Sequence, residues 1–352
     1  MVVVALLLAI GLLTLYSISV VDGSGTFNNF DKQIVAVIIG LGLFFFFSLY
    51  DYRALNSFST KLYFAALALL ALVFIIGSRI RGANAWIGFG PFHLEPVEVV
   101  KVIMIIFLAS FLSKKKTHFS IVARTFISII LVGIPLILVL KQPDFGSAAV
   151  IIGIWIGMLF ASGLNKKVLF SLVLLGCLTA TSGWFMLKNY QKERVINFVN
   201  PQNDPRGSGY NVIQSTVAVG SGGIWGKGLG RGSQSQLNFL PEKHTDFIFA
   251  VFAEELGFFG SMVILTSFGI LIYRIKKTAS LARDNFGYLI SVGVIMMIFV
   301  QVLVNIGMNI GLVPVTGVPL PILSYGGSSM VAVLASLGLV QSIYVRKIKT
   351  LD

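Results

Sequence analysis

"FGYLISVGVIMMIFVQVLVNIGMNI", residues 286–310, holds no Asp, Glu, Lys or Arg in 25 positions. At about 1.5 Å per helical residue such a run crosses the roughly 30 Å hydrocarbon core of a bilayer. Similar windows occur at 2–21, 33–50, 62–78, 97–113, 121–140, 145–162, 167–187, 247–273 and 324–345, which makes ten in all. The expectation is an all-α polytopic membrane protein with about ten transmembrane helices, forming one integral domain over residues 1–352. Hydrophobic residues are 56% of the chain and charged residues 12%, with no polar segment long enough for a soluble catalytic domain. Any chemistry therefore has to use the helices and their loops. Residues 1–21 lack a basic leader and exceed the apolar core of a signal peptide, so they read as a helix.

A net charge of +13 would suggest nucleic acid in a soluble protein, but in a membrane protein it reflects Lys and Arg in cytoplasmic loops. No nucleic-acid partner is expected. The connections at Arg53 and Lys61, Lys114 to Lys116, Lys166 and Lys167, and Arg274 to Arg283, with the tail after Val345, carry 14 Lys and Arg. The alternate short connections carry four. Both termini are thereby expected in the cytoplasm, and the long loop of residues 188–246 outside. Cys177 is the single cysteine, so no disulfide forms within the chain. No internal repeat stands out, which counts against a carrier of two inverted halves.

The unusual segments fall on the expected outer side: "RGANAWIGFGPFHLEPVEVVK", "KQPDFGSA", the long loop, and "NIGLVPVTGVPLPILSYGGSS". Glu98 and Lys101 are three apart and can pair on one helical face, either as a structural tie or at the edge of a polar cavity. They follow a loop carrying Arg79, Arg81 and Trp86. Asp144 stands where a helix begins, a position that suits capping. The long loop has seven glycines between Gly220 and Gly232, including "GKGLGRG". Without a βαβ context this is not a dinucleotide fingerprint. The glycines would instead let backbone approach a ligand, with Arg194, Arg206, Lys227, Arg231 and Lys243 offering charge to a phosphate or to anionic lipid. His244 beside Asp246 invites a metal or triad reading, but three histidines without zinc-like spacing do not sustain it.

In "FLPEKHTDFIFAVFAEELGFFG", residues 239–260, Asp246 lies at the outer mouth of a helix, where a carboxylate can act as a general base on a lipid-borne substrate. At about 100° per residue, Glu254 and Glu255 cannot both cluster with it. They read as structural or cation-binding residues within the span.

These segments, with "NPQNDPRGSGYNVIQSTVAVGSGGIWGKGLG", "EPVEVVK" and "PVTGVPLP", resemble the SEDS family (shape, elongation, division, sporulation), and "PVTGVPLP" resembles its RodA branch. The resemblance implies a peptidoglycan glycosyltransferase of the bacterial cytoplasmic membrane that polymerises lipid II at the outer face during cell elongation. It also implies a class B penicillin-binding protein, a transpeptidase, as partner, among other elongation proteins. The family's essential aspartate falls on Asp246, and its paired Glu and Lys on Glu98 and Lys101. Where the family has "QPSE" this chain has "EPVE", with Glu95 and Val97 at the departing positions. Trp86, Asp144, Arg194, Arg206, Lys227, Ser324 and Ser328 complete the candidate substrate contacts. No ligand set names a metal, although Mg2+ or Mn2+ would offset diphosphate charge. A flippase for the lipid-linked precursor and a noncatalytic scaffold are the alternatives. Labelling of single engineered cysteines tests the topology: positions 115 and 276 should react only from the cytoplasm and positions in 188–246 only from outside, and outside labelling at 276 would reverse it.

Overall fold

A computed structural model of the protein describes residues 1–21, 29–80, 83–90, 92–114, 121–163, 208–237 and 239–347, with single positions between 164 and 207. The helices are α1 (Val2–Val21), α2 (Asn29–Leu49), α3 (Ala54–Ile76), α4 (Pro96–Ser113), α5 (Ile121–Lys141), α6 (Phe145–Ala161), α7 (Ser208–Ser221), α8 (Ser233–Gln236), α9 (Ile248–Ser280), α10 (Asn285–Asn309) and α11 (Gly327–Val345). Eight of them, all but α6, α7 and α8, are long and apolar enough to cross a membrane. Of the helix expected at 167–187 only Phe170 and Gly176 are among the described residues, and Cys177, Arg81, Arg194 and Arg206 lie outside them.

Local chemistry sets several boundaries. Pro96 opens α4, where its missing N–H is no loss. Asp144 and Asp284 cap α6 and α10 by accepting from Ser147 N and Gly287 N. Two elements depart from expectation. The loop before α4 folds into an antiparallel sheet of β1 (Ser78–Ile80), β2 (Ala83–Phe89) and β3 (Phe92–Leu94), in the order β1-β2-β3. In the long loop, "SGYNVIQSTVAVGS" is helical as α7, despite its β-branched residues, because it packs along α9.

With lipid as solvent, close packing does the work that water exclusion does elsewhere, and small residues mark the tight crossings. Gly338 of α11 lies so near α2 that a Cβ would come 2.6 Å from the Phe44 carbonyl oxygen. Gly293 of α10 faces Ile105 of α4, and Gly153 of α6 faces Val300 of α10. Met1 to Val4 and Lys347 line one cavity with Arg274 and Lys277, so both ends of the described chain and these basic residues share one end of the bundle. Arg53, Ser113 and Asp284 meet at that same end, where Arg346 also donates to the Leu49 carbonyl at 2.6 Å. Residues 78–80, 83–90, 92–96, 144, 208–237 and 239–246 occupy the other end.

Gly338→Leu would force α2 and α11 apart. The variant is expected to lose roughly 1–3 kcal/mol, typical of overpacking, read as a lower thermal midpoint in detergent, and an unchanged midpoint would contradict the tight crossing.

Candidate active site

The site is built on the turn that ends in Asp246. The Glu242 carbonyl accepts from Thr245 N at 3.1 Å and Asp246 N at 3.2 Å, while Glu242 itself has φ 51. The Asp246 carbonyl accepts from two side-chain amides of α10, Asn305 Nδ2 and Asn309 Nδ2, both at 3.0 Å. Asn309 Oδ1 in turn accepts from Ala250 N in the first turn of α9. On the other side, Ser324 Oγ donates to the Thr245 carbonyl at 2.7 Å and Tyr325 N donates to the His244 carbonyl at 2.9 Å. Residues 305, 309 and 324 are buried, so these are bonds without water competition. Asp246 keeps partial exposure, and Gly317, at φ 77, passes so close that a Cβ would sit 3.6 Å from its Oδ2.

Beside this turn, Lys101 Nζ donates to Glu98 Oε1 at 2.8 Å inside α4, with both side chains 1% exposed. The expected pair is therefore formed and buried. Glu98 Oε2 and Asp144 Oδ2 have no hydrogen-bond partner among the described residues. Glu95, immediately before α4, retains some accessible surface, yet its carboxyl is enclosed by protein atoms. That burial pushes its pKa well above the usual carboxylate range; Glu98 and Asp144 push the same way, Lys101 opposes, and Asp246 adds a smaller push. Three carboxyls and one ammonium thus lie within electrostatic reach of the Glu95 carboxyl at this end of the bundle.

A cavity of about 490 Å3 adjoins the turn, with Thr245, Trp86, His93, Lys32 and Ser328 among its lining residues and apolar α2 and α11 side chains as its walls. Ser328 Oγ accepts from Glu95 N at 2.8 Å, tying α11 to the start of α4. Trp86 and Ser328 of the expected contacts are therefore at the cavity. Ser324 is spent differently: its hydroxyl donates to the Thr245 carbonyl and accepts from Leu320 N.

Lys227, Glu254 and Glu255 form a separate arrangement. Glu254 Oε1 accepts from Lys227 Nζ at 2.8 Å and Gln234 N at 3.0 Å, and its Oε2 accepts from Ser235 N at 3.2 Å. Glu255 Oε1 accepts from Ser17 Oγ and Gly230 N, both at 3.0 Å. The helix breaks at Gly257, where φ 66 and ψ −160 leave helical space. The glycine-rich strap docks against that break, with Phe258 N donating to the Gly223 carbonyl and Gly228 N to the Glu255 carbonyl. A Cβ on Gly226 would come within hard contact of the Glu255 carbonyl oxygen. The close approach these glycines permit is to protein backbone, and Lys227 has Glu254 as its anion. Among the described residues no three His, Cys, Asp or Glu side chains converge to hold a metal.

Lys32, Gln33, His93, Asn305 and Asn309 also stand at or around the site, though no motif marks them in the sequence. Gln33 bridges the Ser324 carbonyl and Gly326 N. Asn305 and Asn309 carried a readable signal, since two amides four apart in a charge-free span share one face and need partners there.

The FtsW/RodA/SpoVE family of cell cycle proteins matches residues 1–349. The chain belongs to this family. It is 39% identical over 349 residues to Stage V sporulation protein E of Bacillus subtilis (strain 168), covering 97% of this chain and 95% of that one. It is 36% identical over 344 residues to peptidoglycan glycosyltransferase MrdB of Escherichia coli (strain K12), covering 97% and 93%. Among solved structures, a chain from a peptidoglycan synthase complex that coordinates polymerization and crosslinking superposes with TM-score 0.83 at 35% identity, covering 99% of this chain and 97% of that one. Thermus thermophilus rod shape determining protein RodA superposes with TM-score 0.74 at 30% identity, covering 99% and 96%.

Glu254→Ala removes the acceptor of the Gln234 and Ser235 amides. A loss on the order of 1–3 kcal/mol is expected for such orphaned donors, seen as a lower thermal midpoint and faster proteolysis within 222–237, and wild-type behaviour in both would remove Glu254 as the strap's anchor.

Proposed function

We infer that this chain is a peptidoglycan glycosyltransferase that extends glycan from a lipid-linked disaccharide-peptide. The observation that carries the reading is the Asp246 carboxylate, presented on a hydrogen-bonded turn beside a cavity with apolar walls and a polar mouth. Such a cavity suits a substrate whose chain stays in lipid while its head reacts at the membrane surface. The relatives' names and the synthase-complex structure support the same reaction.

In the transfer, the acceptor sugar's 4-hydroxyl gives its proton to Asp246 while its oxygen bonds to the donor's anomeric carbon. The bond from that carbon to the diphosphate oxygen breaks, and the lipid diphosphate leaves with the electron pair. One displacement inverts the centre, so a second carboxylate at the close spacing of retaining glycosidases is not required. Lys32 at the cavity and Lys101 beside Glu98 are the cations available to the departing charge. The neighbouring carboxyls make this end acid-rich for a diphosphate. A divalent cation such as Mg2+ or Mn2+ would supply the balance; Mg2+ commonly combines one or two carboxylates with substrate phosphates, and Asp144, with one oxygen unpartnered, is suited to contribute. Arg194 and Arg206 remain proposed contacts from the sequence.

The charge asymmetry of the loops supports cytoplasmic termini and transfer at the outer face. The synthase-complex relative, by its coordination of polymerization and crosslinking, supports a class B transpeptidase as partner. A flippase needs polar access from both leaflets, whereas α4 below Lys101 buries Met104, Ile105, Leu108 and Leu112.

Asp246→Asn keeps the side-chain shape and removes the base. Glycan formation from lipid II in detergent, with the same transpeptidase present, is expected to fall about 10² to 10⁴-fold with the thermal midpoint preserved. Equal product from both proteins would remove Asp246 as base and restore the carrier reading.

A further inference from the structure

Gln301 is fully buried in α10, and neither its amide oxygen nor its amide nitrogen has a hydrogen-bond partner among the described residues. Its buried neighbours Met297, Ile298 and Val302 are apolar, and Asn305, one turn on, commits its amide nitrogen to the Asp246 and Val318 carbonyls. An unpaired buried polar group opposes folding, most of all where lipid rather than water is the alternative. A buried amide that no described protein group partners calls for a bridging group.

Register locates what that amide faces. α4 and α10 run antiparallel, since Ser113 at the end of one and Asn285 at the start of the other line a single cavity. The helices touch where Gly293 faces Ile105, with a Cβ on Gly293 coming 2.6 Å from Ile105 Cγ2. From that contact, Glu98 lies seven residues along α4 and Gln301 eight along α10, each about 10–12 Å toward the Asp246 end. Seven residues make nearly two whole turns, so Glu98 keeps the heading of Ile105 toward α10, while Gln301 is turned about 80° from Gly293 toward the α9 side. The amide is level with Glu98, whose Oε2 is also without a partner.

We propose that Gln301 is a positioning residue for the transfer site: a water held by its amide reaches Glu98 Oε2 and so fixes the Glu98–Lys101 pair. The inference rests on the reading that this pair belongs to the transfer machinery. Water is the bridging group that two unpaired polar side chains at one depth call for, because it can donate to the carboxylate and bond the amide together. The amide thereby sets the direction of Lys101 without touching substrate.

Gln301→Met keeps the length of the side chain and removes the amide. The expected result is an equal or higher thermal midpoint with glycan formation from lipid II in detergent slowed roughly 10- to 100-fold, the range for groups that orient a functional side chain. In a Glu98→Gln background the same substitution should add little, because its effect passes through Glu98. A fast Gln301→Met protein beside a slow Glu98→Gln protein overturns this inference alone. So do losses that multiply in the double variant, or a Gln301→Met or Gln301→Leu protein that melts early or fails to fold. Normal polymerisation by Glu98→Gln overturns the reading of the pair, and this inference with it.

Discussion

Two asparagine side chains of α10 on the carbonyl of Asp246 are the interaction on which the rest of the site depends. A turn at the rim of a membrane bundle leaves backbone groups that lipid cannot satisfy, so it persists only where side chains supply the bonds. Asn305 also holds the Val318 carbonyl, and Ser324 holds that of Thr245, so α10, the segment before α11 and the start of α9 are locked to one another. The carboxylate inherits its position from backbone that three elements fix. The strap on Glu254 and Glu255 braces the same helix lower down, where Gly257 interrupts it.

That framework concentrates charge at one end of an otherwise apolar bundle. Glu98, Lys101, Asp144 and Asp246 all act on the Glu95 carboxyl, and the cavity beside them is walled by apolar α2 and α11 side chains. Under the proposed function the division of labour follows from solvent: apolar walls would take the substrate's chain, while the acid-rich mouth would take its head and the proton. The opposite end has its own polar contacts, but they tie helix ends, as when Tyr52 donates to Asp284 and Arg346 to the Leu49 carbonyl.

Much of this was legible in the sequence because hydropathy over a membrane span is a strong signal. The helix over 286–310 falls at Asn285–Asn309, and that over 2–21 at Val2–Val21. The Glu98–Lys101 pair was legible from spacing, whereas Glu254 and Glu255 stand apart from Asp246 because Asp246 lies on the turn before α9 and not on the helix that carries them. The sheet over 78–94 was not, since strands of three residues carry too little alternation to stand out from a glycine-rich loop. Nor was the strap: glycines, a lysine and serines look the same whether they await a phosphate or a glutamate, and only the position of Glu254 decides. Ser324 shows the same ambiguity, because a hydroxyl in a conspicuous motif can be spent wholly on backbone.

The proposed function puts the chemistry at Asp246 and the lipid chain between α2, α4 and α11. A structure of the protein holding a lipid-linked disaccharide diphosphate and an acceptor glycan tests it most directly. The isoprenoid should lie in the cavity lined by Lys32, Trp86 and Ser328, and the acceptor hydroxyl about 2.6–3.2 Å from an Asp246 oxygen, the reach of a general base. A sugar head bound at Glu254 and the strap, or an acceptor hydroxyl on another carboxylate with Asp246 turned away, would contradict it.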